Sequence, residues 1–295
     1  MLSTRAGAPL RHPSEAGICN AIPENLMKAL SLAALSAVLV AVPVQAEDEF
    51  DGFYAGASIG YDFQAGDSGE TISFDRGSNG TFGESVTTAA GANAFSPGFC
   101  GGAATSTQNS NCRSDSDGVG FAGRFGYDSQ MGKLVIGAVA EIGTADLRDS
   151  VAAFSTTPAF YTMTREIDYT AALRLRAGFT PAAKTLIYAT GGVAYAKLDQ
   201  SFETSNTANS FTVLEDDETW GYQLGAGVEQ KLGTNVSLGV EYLFTGYGAD
   251  DTLIRVGQGT AGATNPFVLA NGVDFRRAGD SFDIQTVKAV LTYRF

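Results

Sequence analysis

Eight segments of this chain alternate apolar and polar side chains with a period of two, and the last of them ends the chain. In VKAVLTYRF, Val287, Ala289, Leu291, Tyr293 and Phe295 share one face of an extended strand, while Lys288, Val290, Thr292 and Arg294 share the other. An oily stripe backed by a charged stripe suits a closed sheet in lipid, with hydrocarbon outside and a polar lumen inside. A half-buried strand of a soluble sandwich is the alternative that one such strand alone permits. Mean hydropathy is +0.01, because lipid-facing and lumen-facing residues cancel in such strands.

The first segment runs from Phe53 to Phe63, with Phe53, Ile59 and Tyr61 outward and Ser58 and Asp62 inward. The second, Gly118 to Tyr127, turns Val119, Phe121, Phe125 and Tyr127 outward and Arg124 inward. The third, Leu134 to Gly143, sets Glu141 opposite the Leu134, Ile136 and Ile142 face. The fourth, Ile167 to Phe179, alternates Tyr169, Leu173 and Leu175 with Asp168, Thr170, Arg174 and Arg176. In the fifth, Leu186 to Ala196, both faces are apolar or small, so the pattern assigns no orientation. The sixth, Trp220 to Gln230, turns Glu229 inward; the seventh, from Val236, turns Glu241 inward; the eighth begins near Asp283.

Connections two-to-three, four-to-five and six-to-seven are short, with turns at Ser129 to Gly132, Thr180 to Lys184 and Leu232 to Asn235. The others are long and rich in Gly, Ser, Thr, Asn and Asp. This asymmetry predicts an eight-stranded antiparallel up-and-down transmembrane β-barrel, with short periplasmic turns, long outer loops and both termini on the periplasmic side. Aromatics near the strand ends would form two interfacial girdles. The longest loop, about residues 64–117, holds an alternating TISF, Thr71 to Phe74, which is expected to extend the first hairpin above the membrane.

The apolar run Ala29 to Val42 is too short to span a membrane as a helix. Flanked by Lys28 and by Val44-Gln45-Ala46, it reads as a secretory signal cut before Glu47, with Met27 as the expected true start. Residues 1–46 are thus leader and residues 47–295 the barrel domain. Cleavage removes three basic and two acidic residues, so a net charge of −13 becomes −14. So acidic a chain is a poor partner for nucleic acid. It also removes His12, the sole histidine.

Without an imidazole the usual base of a hydrolase or protease is missing, so a lipid-modifying enzyme or surface protease is the lesser alternative. A Ser-Lys or all-carboxylate site stays open on sequence alone. Cys100 and Cys112, in a Gly/Ser/Asn-rich stretch of an exported chain, are most simply a disulfide; two free thiols or a metal site are the alternatives.

Arg124, Glu141, Arg174, Arg176, Glu229, Glu241, Lys288 and Arg294 all take the inward parity of their strands. Arg or Lys on the lipid face near the midplane would cost about 2–4 kcal/mol. Their mixed signs predict ion pairs that plug the lumen of a narrow barrel; a proton or solute path is the other reading. The GVGFAG of Gly118 to Gly123 matches a dinucleotide fingerprint, but it continues a strand rather than opening a helix, so it is read as lumenal space beside Arg124. Asp115 and Asp117 resemble a calcium loop, yet Arg113 holds its first ligand position. The acidic run Glu215 to Glu218 reads as a solvated loop, or as a divalent-cation bridge to lipid phosphates.

The runs FYAGASIGYDF, LVIGAVAEI, LRLRAGF, LIYATGGVAYA, WGYQLGAGVEQ, VSLGVEYLFTGYG and VKAVLTYRF resemble successive strands of the RopB-type, OmpA-like outer-membrane barrels of alphaproteobacteria, often called porin-family proteins. The resemblance implies a Gram-negative outer-membrane protein that supports envelope integrity and surface contacts, with a small passive channel as the alternative. It implies contact with membrane lipid and lipopolysaccharide, and surface or host ligands on the loops. Phe295, Tyr293 and Leu291 would form the assembly signal read by the barrel-assembly machinery. Some relatives are linked to haem, but no histidine is present to ligate it, so no cofactor is expected. A chain ending at the eighth strand is also expected to lack a peptidoglycan-binding domain.

Overall fold

The computed structural model describes residues 50–64, 69–214, 217–248, 252–279 and 282–295. The leader, its cleavage point and the first half of the acidic run lie outside them. In chain order the elements are β1 (Gly52–Gln64), β2 (Thr71–Arg76), β3 (Gly98–Gly101), β4 (Gly118–Met131), β5 (Leu134–Thr144), β6 (Arg148–Ser155), β7 (Ala159–Ala182) and β8 (Thr185–Thr204). They continue as β9 (Ser210–Leu214), β10 (Glu218–Lys231), β11 (Val236–Tyr247), β12 (Leu253–Gly257), α1 (Pro266–Leu269), β13 (Val273–Ala278) and β14 (Phe282–Arg294).

Eight of these strands close a barrel in the order β1, β4, β5, β7, β8, β10, β11, β14, every pair antiparallel and β14 returning to β1. At the seam Tyr54 pairs with Arg294 and Gly60 with Lys288, and the Phe295 amide donates to the Phe53 carbonyl at 3.0 Å. Paired residues share a face, so one alternating pattern repeated in each strand yields an oily outside and a polar inside. Leu175 is 70% exposed and its neighbour Arg174 is 0%. Aromatics ring the outside at both ends. Tyr195 contacts Trp220 and Tyr169 at one end, while Phe53 contacts Phe125 and Tyr127 at the other.

Three details differ from the sequence reading. β4 runs on to Met131 and turns in two residues, Gly132 and Lys133, with Gly132 at φ +62°. β8 acquires its orientation from its neighbours: Leu186, Tyr188 and Ala194 point inward, and Val193 outward. Asp168, read as inward, is exposed. It sits in a bulge where Ile167 pairs with Leu198 but Tyr169 with Lys197, so one residue drops out of register. Below the bulge the even positions Arg174 and Arg176 face inward, and above it the odd positions Arg165 and Ile167 do.

The long connections carry strands of their own. β7 and β8, 24 and 20 residues long, continue past the barrel and with β6 and β3 form one sheet. Four strands from three connections form the second, in the order β2, β13, β12, β9. The TISF strand therefore pairs with β13, Phe74 opposite Phe275, and does not extend the first hairpin. The two sheets face each other across a core of Ile72, Phe74, Phe95, Tyr161, Met163, Ile254, Val256 and Phe275. The barrel carries a β-sandwich cap.

Strand β6 is buried on both faces, because the segment closed by the Cys100–Cys112 disulfide lies over its outer side. There Ser150 donates its amide to Asp115 Oδ1 at 2.6 Å and its carbonyl accepts from Gly102 at 2.6 Å. A side chain at Gly102, whose φ is +114°, would meet the Arg113 carbonyl at 2.2 Å, so the crossing demands glycine. Asp117 accepts from the Gln64 amide at 3.2 Å, so both acids of the calcium-like stretch anchor this segment. Between cap and lumen lies an apolar layer of Leu147, Ile167, Ala194, Ala196, Leu198, Tyr247, Phe282 and Ile284.

Candidate functional site

The lumen holds the sequence-predicted charges in two tiers. Strand register creates the first: Arg124 of β4 lies beside Glu141 of β5, and Glu241 of β11 beside Lys288 of β14. Arg124 Nη2 reaches Glu141 at 2.5 Å and Glu241 at 2.9 Å. Arg174 enters from β7, 3.2 Å from Glu141 and 3.4 Å from Glu241, and donates to Gln223 at 2.7 Å. Lys288 bonds Glu141 at 2.5 Å, and the Tyr188 hydroxyl donates to Glu241 at 2.8 Å. Three cations thus share two carboxylates, tying five strands together.

The second tier lies toward the short turns. Arg176 donates Nε and Nη2 to the two oxygens of Asp128 at 2.8 and 2.5 Å, and reaches Glu229 at 3.1 Å. Arg294 reaches Asp128 at 2.8 Å, and Ser237 donates to Glu229 at 2.6 Å. The Arg176 guanidinium also lies 4.6 Å from the Tyr188 ring centre and 5.0 Å from that of Tyr54, which stacks the tiers through cation–π contacts. Asp128 lies one residue beyond the Tyr127 end of the second alternating segment, on the same parity as Arg124, and that parity is its signal in the sequence.

Glycines make room for the inward tyrosines. A Cβ at Gly126 would fall 2.4 Å from the Tyr54 hydroxyl oxygen, and one at Gly227 2.6 Å from that of Tyr188. Gly120, within the dinucleotide-like stretch, opens toward Asp62 rather than Arg124, and that stretch lies wholly in β4. Asp62 accepts from Thr286 at 2.5 Å beside a cavity of about 60 Å³ above the first tier, space for a water or two.

Both ends of the lumen are covered. At the short-turn end Phe50 is fully buried, its amide bonded to Gln130 at 2.8 Å and its ring 5.7 Å from both Lys231 and Arg294. At the other end stand the apolar layer and then a third ionic group at the base of the cap. Asp149 holds Arg165 at 2.6 Å and Arg277 at 2.7 Å, and Glu70 bonds Arg277 at 3.0 Å. Burial pushes the Glu70 carboxyl above its ordinary value, Arg277 pulling it back. Sequence reasoning missed this group, since the bulge reverses the parity of Arg165 and its partners come from β6 and β13.

Chemically the arrangement binds itself. Every carboxylate of the two tiers is taken by arginine or lysine, and no histidine occurs among the described residues, nor a cluster of three metal-ligating side chains. Removing one partner of such a buried pair strands the other, at about 3–5 kcal/mol. Leu291, Tyr293 and Phe295 face outward, with the Tyr293 and Phe295 ring centres 5.4 Å apart.

A 31 kDa outer-membrane immunogenic protein of Brucella melitensis is 30% identical over 132 residues, which is 44% of this chain and 55% of that protein's own length. A 22 kDa outer membrane protein of Rhizobium leguminosarum is 28% identical over 180 residues, covering 60% of this chain and 76% of the relative. Among solved structures, the outer membrane protein OprG from Pseudomonas aeruginosa aligns over 86% of this chain and all of its own, with a TM-score of 0.46 and 13% identity. The family model described as outer membrane protein beta-barrel domain matches residues 32–295, which takes in every strand of barrel and cap. The chain belongs to that family and is an outer-membrane β-barrel protein.

Proposed function

We propose that this is a non-enzymatic barrel with a sealed lumen, which braces the outer membrane and holds a folded cap at the cell surface for contact with other molecules. The observation that carries this reading is the succession of layers inside the barrel: Phe50, two ionic tiers, the apolar layer and the ionic base of the cap. A solute would have to part arginine–carboxylate pairs at two successive levels, each buried and expensive to break. The barrel's own side chains fill it, as eight strands allow.

Orientation follows from the connections. Short turns belong to the periplasmic side, so the cap faces outward. The closed carboxylates, with no histidine among the described residues, support a binding or structural role over turnover. Purified protein in a planar lipid bilayer is expected to give no reproducible conductance steps; stable unitary steps would overturn the sealed lumen. Protease added to intact cells is expected to reach the cap, and protection of the cap until the outer membrane is broken would reverse the orientation.

A further inference from the structure

The far end of the cap contains a pocket at the edge of its core. Four chain segments meet there: Ala94 and Phe95 of the β2–β3 connection, the turn between β6 and β7 at residues 156–158, the turn between β8 and β9 at 205–209, and the start of α1. β7 pairs with β6 over Ala159 to Glu166, so these turns stand roughly 26 Å beyond the rim of the barrel. The pocket encloses about 220 Å³. That is below the usual 300–1,000 Å³ or so of small-molecule sites, and suits one ring rather than a chain.

We propose that this pocket binds a single neutral, hydroxyl-rich ring, the chemistry of one uncharged sugar unit of a surface glycan. Three aromatic rings make its floor: Phe95 and Tyr161 with centres 5.4 Å apart, and Phe267 at 5.9 Å and 84° to Tyr161. These rings are buried in the core of the cap, so they back the cavity with packed apolar edges against which the C–H groups of a sugar can rest. No acid, lysine or arginine lines the cavity. A charged ligand would surrender water with nothing to neutralise it.

The polar wall is pre-set rather than improvised. Asn206 donates to the Tyr161 hydroxyl at 3.0 Å, and its carboxamide oxygen accepts from the amides of Ala208 at 3.0 Å and Asn209 at 3.3 Å. Asn265 donates to Asn209 at 3.0 Å while capping α1, so the β8–β9 turn is tied to Tyr161 of β7 and to the helix. At the exposed rim, Ser205 accepts from the Phe160 amide at 3.1 Å, which leaves its own O–H to donate. The exposed hydroxyls of Thr157 and Thr207 take no partner among the described residues. Neutral groups that both donate and accept are what a sugar hydroxyl requires.

This inference rests on the cap being a contact surface, but it is tested without reference to orientation. Full-length protein in detergent micelles is titrated with free glucose, galactose, mannose, rhamnose and N-acetylglucosamine, with glucuronate and glucosamine as charged controls, and read by saturation-transfer NMR. At least one neutral sugar is expected to give a saturable response at millimolar concentration, with the charged forms at least about tenfold weaker. Thr207→Trp, which fills the mouth from an exposed position, is expected to abolish the response while the heat-modifiable gel mobility stays unchanged. Thr157→Val, which keeps the shape and removes one hydroxyl, should weaken it severalfold and covers the case that the tryptophan disturbs the turn. Silence from all five neutral sugars, equal response to charged ones, or a response indifferent to both substitutions would overturn the site. Saturable binding of a tryptophan-bearing peptide in place of the sugars would assign the pocket to a protein partner and overturn it equally. Failure here with protease-accessible caps on cells would leave the proposed function standing.

Discussion

Arg176 reaches over Gly137 of β5 to grip Asp128 with two parallel hydrogen bonds, Nε to Oδ1 at 2.8 Å and Nη2 to Oδ2 at 2.5 Å. The two residues sit on strands separated by β5, so this fork ties next-nearest strands across Gly137 rather than following a ladder. Its planar geometry is what makes arginine, and not lysine, suited to the position.

Asp128→Ala leaves Arg176 and Arg294 to share Glu229 alone. A loss of about 3–5 kcal/mol is expected, read as a lower urea midpoint for conversion of the compact gel form to the heated form. Replacing Arg176 and Asp128 together by Met and Leu should recover most of it, since a well-packed apolar pair is often no worse than a buried ion pair. An Asp128→Ala barrel as stable as the parent would show the tier to be dispensable.

Gly126→Ala is expected to destabilise the barrel by about 1–3 kcal/mol, because its Cβ would sit 2.4 Å from the Tyr54 ring and 2.6 Å from the Ala138 carbonyl. Adding Tyr54→Leu should restore part of that loss, the carbonyl contact remaining. Tyr54→Phe alone is expected to be near neutral, since the Tyr54 hydroxyl is buried without a hydrogen-bond partner among the described residues. The coupling is read from a double-mutant cycle on thermal midpoints, and additivity would mean the two residues do not interlock.

The contrast between barrel and cap explains what could be read in advance. Lipid on one side and a crowded lumen on the other impose strict alternation, so Arg124, Glu141, Arg174 and Glu241 declared their direction by parity. β8 hid its direction because Leu186 and Tyr188, facing inward, are as apolar as Ile187 and Val193. The cap hid altogether. Strands β9 and β12 have five residues each and bury only Phe211 and Val213, or Ile254 and Val256, within stretches of Gly, Thr and Asn. No local window holds enough of that core to show it, since its partners are far apart in the chain. The bulge at Asp168 then breaks the one rule that would have carried the pattern from barrel into cap.

Acid should tighten the base of the cap at Glu70. Burial is the largest influence on this carboxyl and raises it; Arg277 opposes, and Asp149 adds to the rise. A raised carboxyl holds its proton more readily folded than unfolded. Its contribution is therefore full below the ordinary glutamate value and is lost as pH climbs through the raised one. Protease protection of the cap is expected to increase from about pH 7 toward about pH 5, with Glu70→Gln flattening that slope and resembling the acid form at pH near 7. An unchanged slope in Glu70→Gln would assign the acid response elsewhere.

Phe275→Ala separates cap from barrel. The ring lies at the centre of the sandwich, 5.0 Å from Phe74, 5.6 Å from Tyr161, 5.7 Å from Phe267 and 6.0 Å from Phe95. Truncation is expected to lose about 3–5 kcal/mol, as for a fully buried phenylalanine. Of the ionic tiers and β-ladders of the barrel, only the β7–β8 ladder runs on into this core, so the loss should fall on the cap. Protease should then cut within residues 69–117 and 253–278 while the barrel keeps its compact gel mobility. Concerted loss of both would mean that the layer of Leu147, Ile167, Tyr247 and Phe282 welds the two into one cooperative unit, with the cap's core stabilising the membrane-spanning strands beneath it.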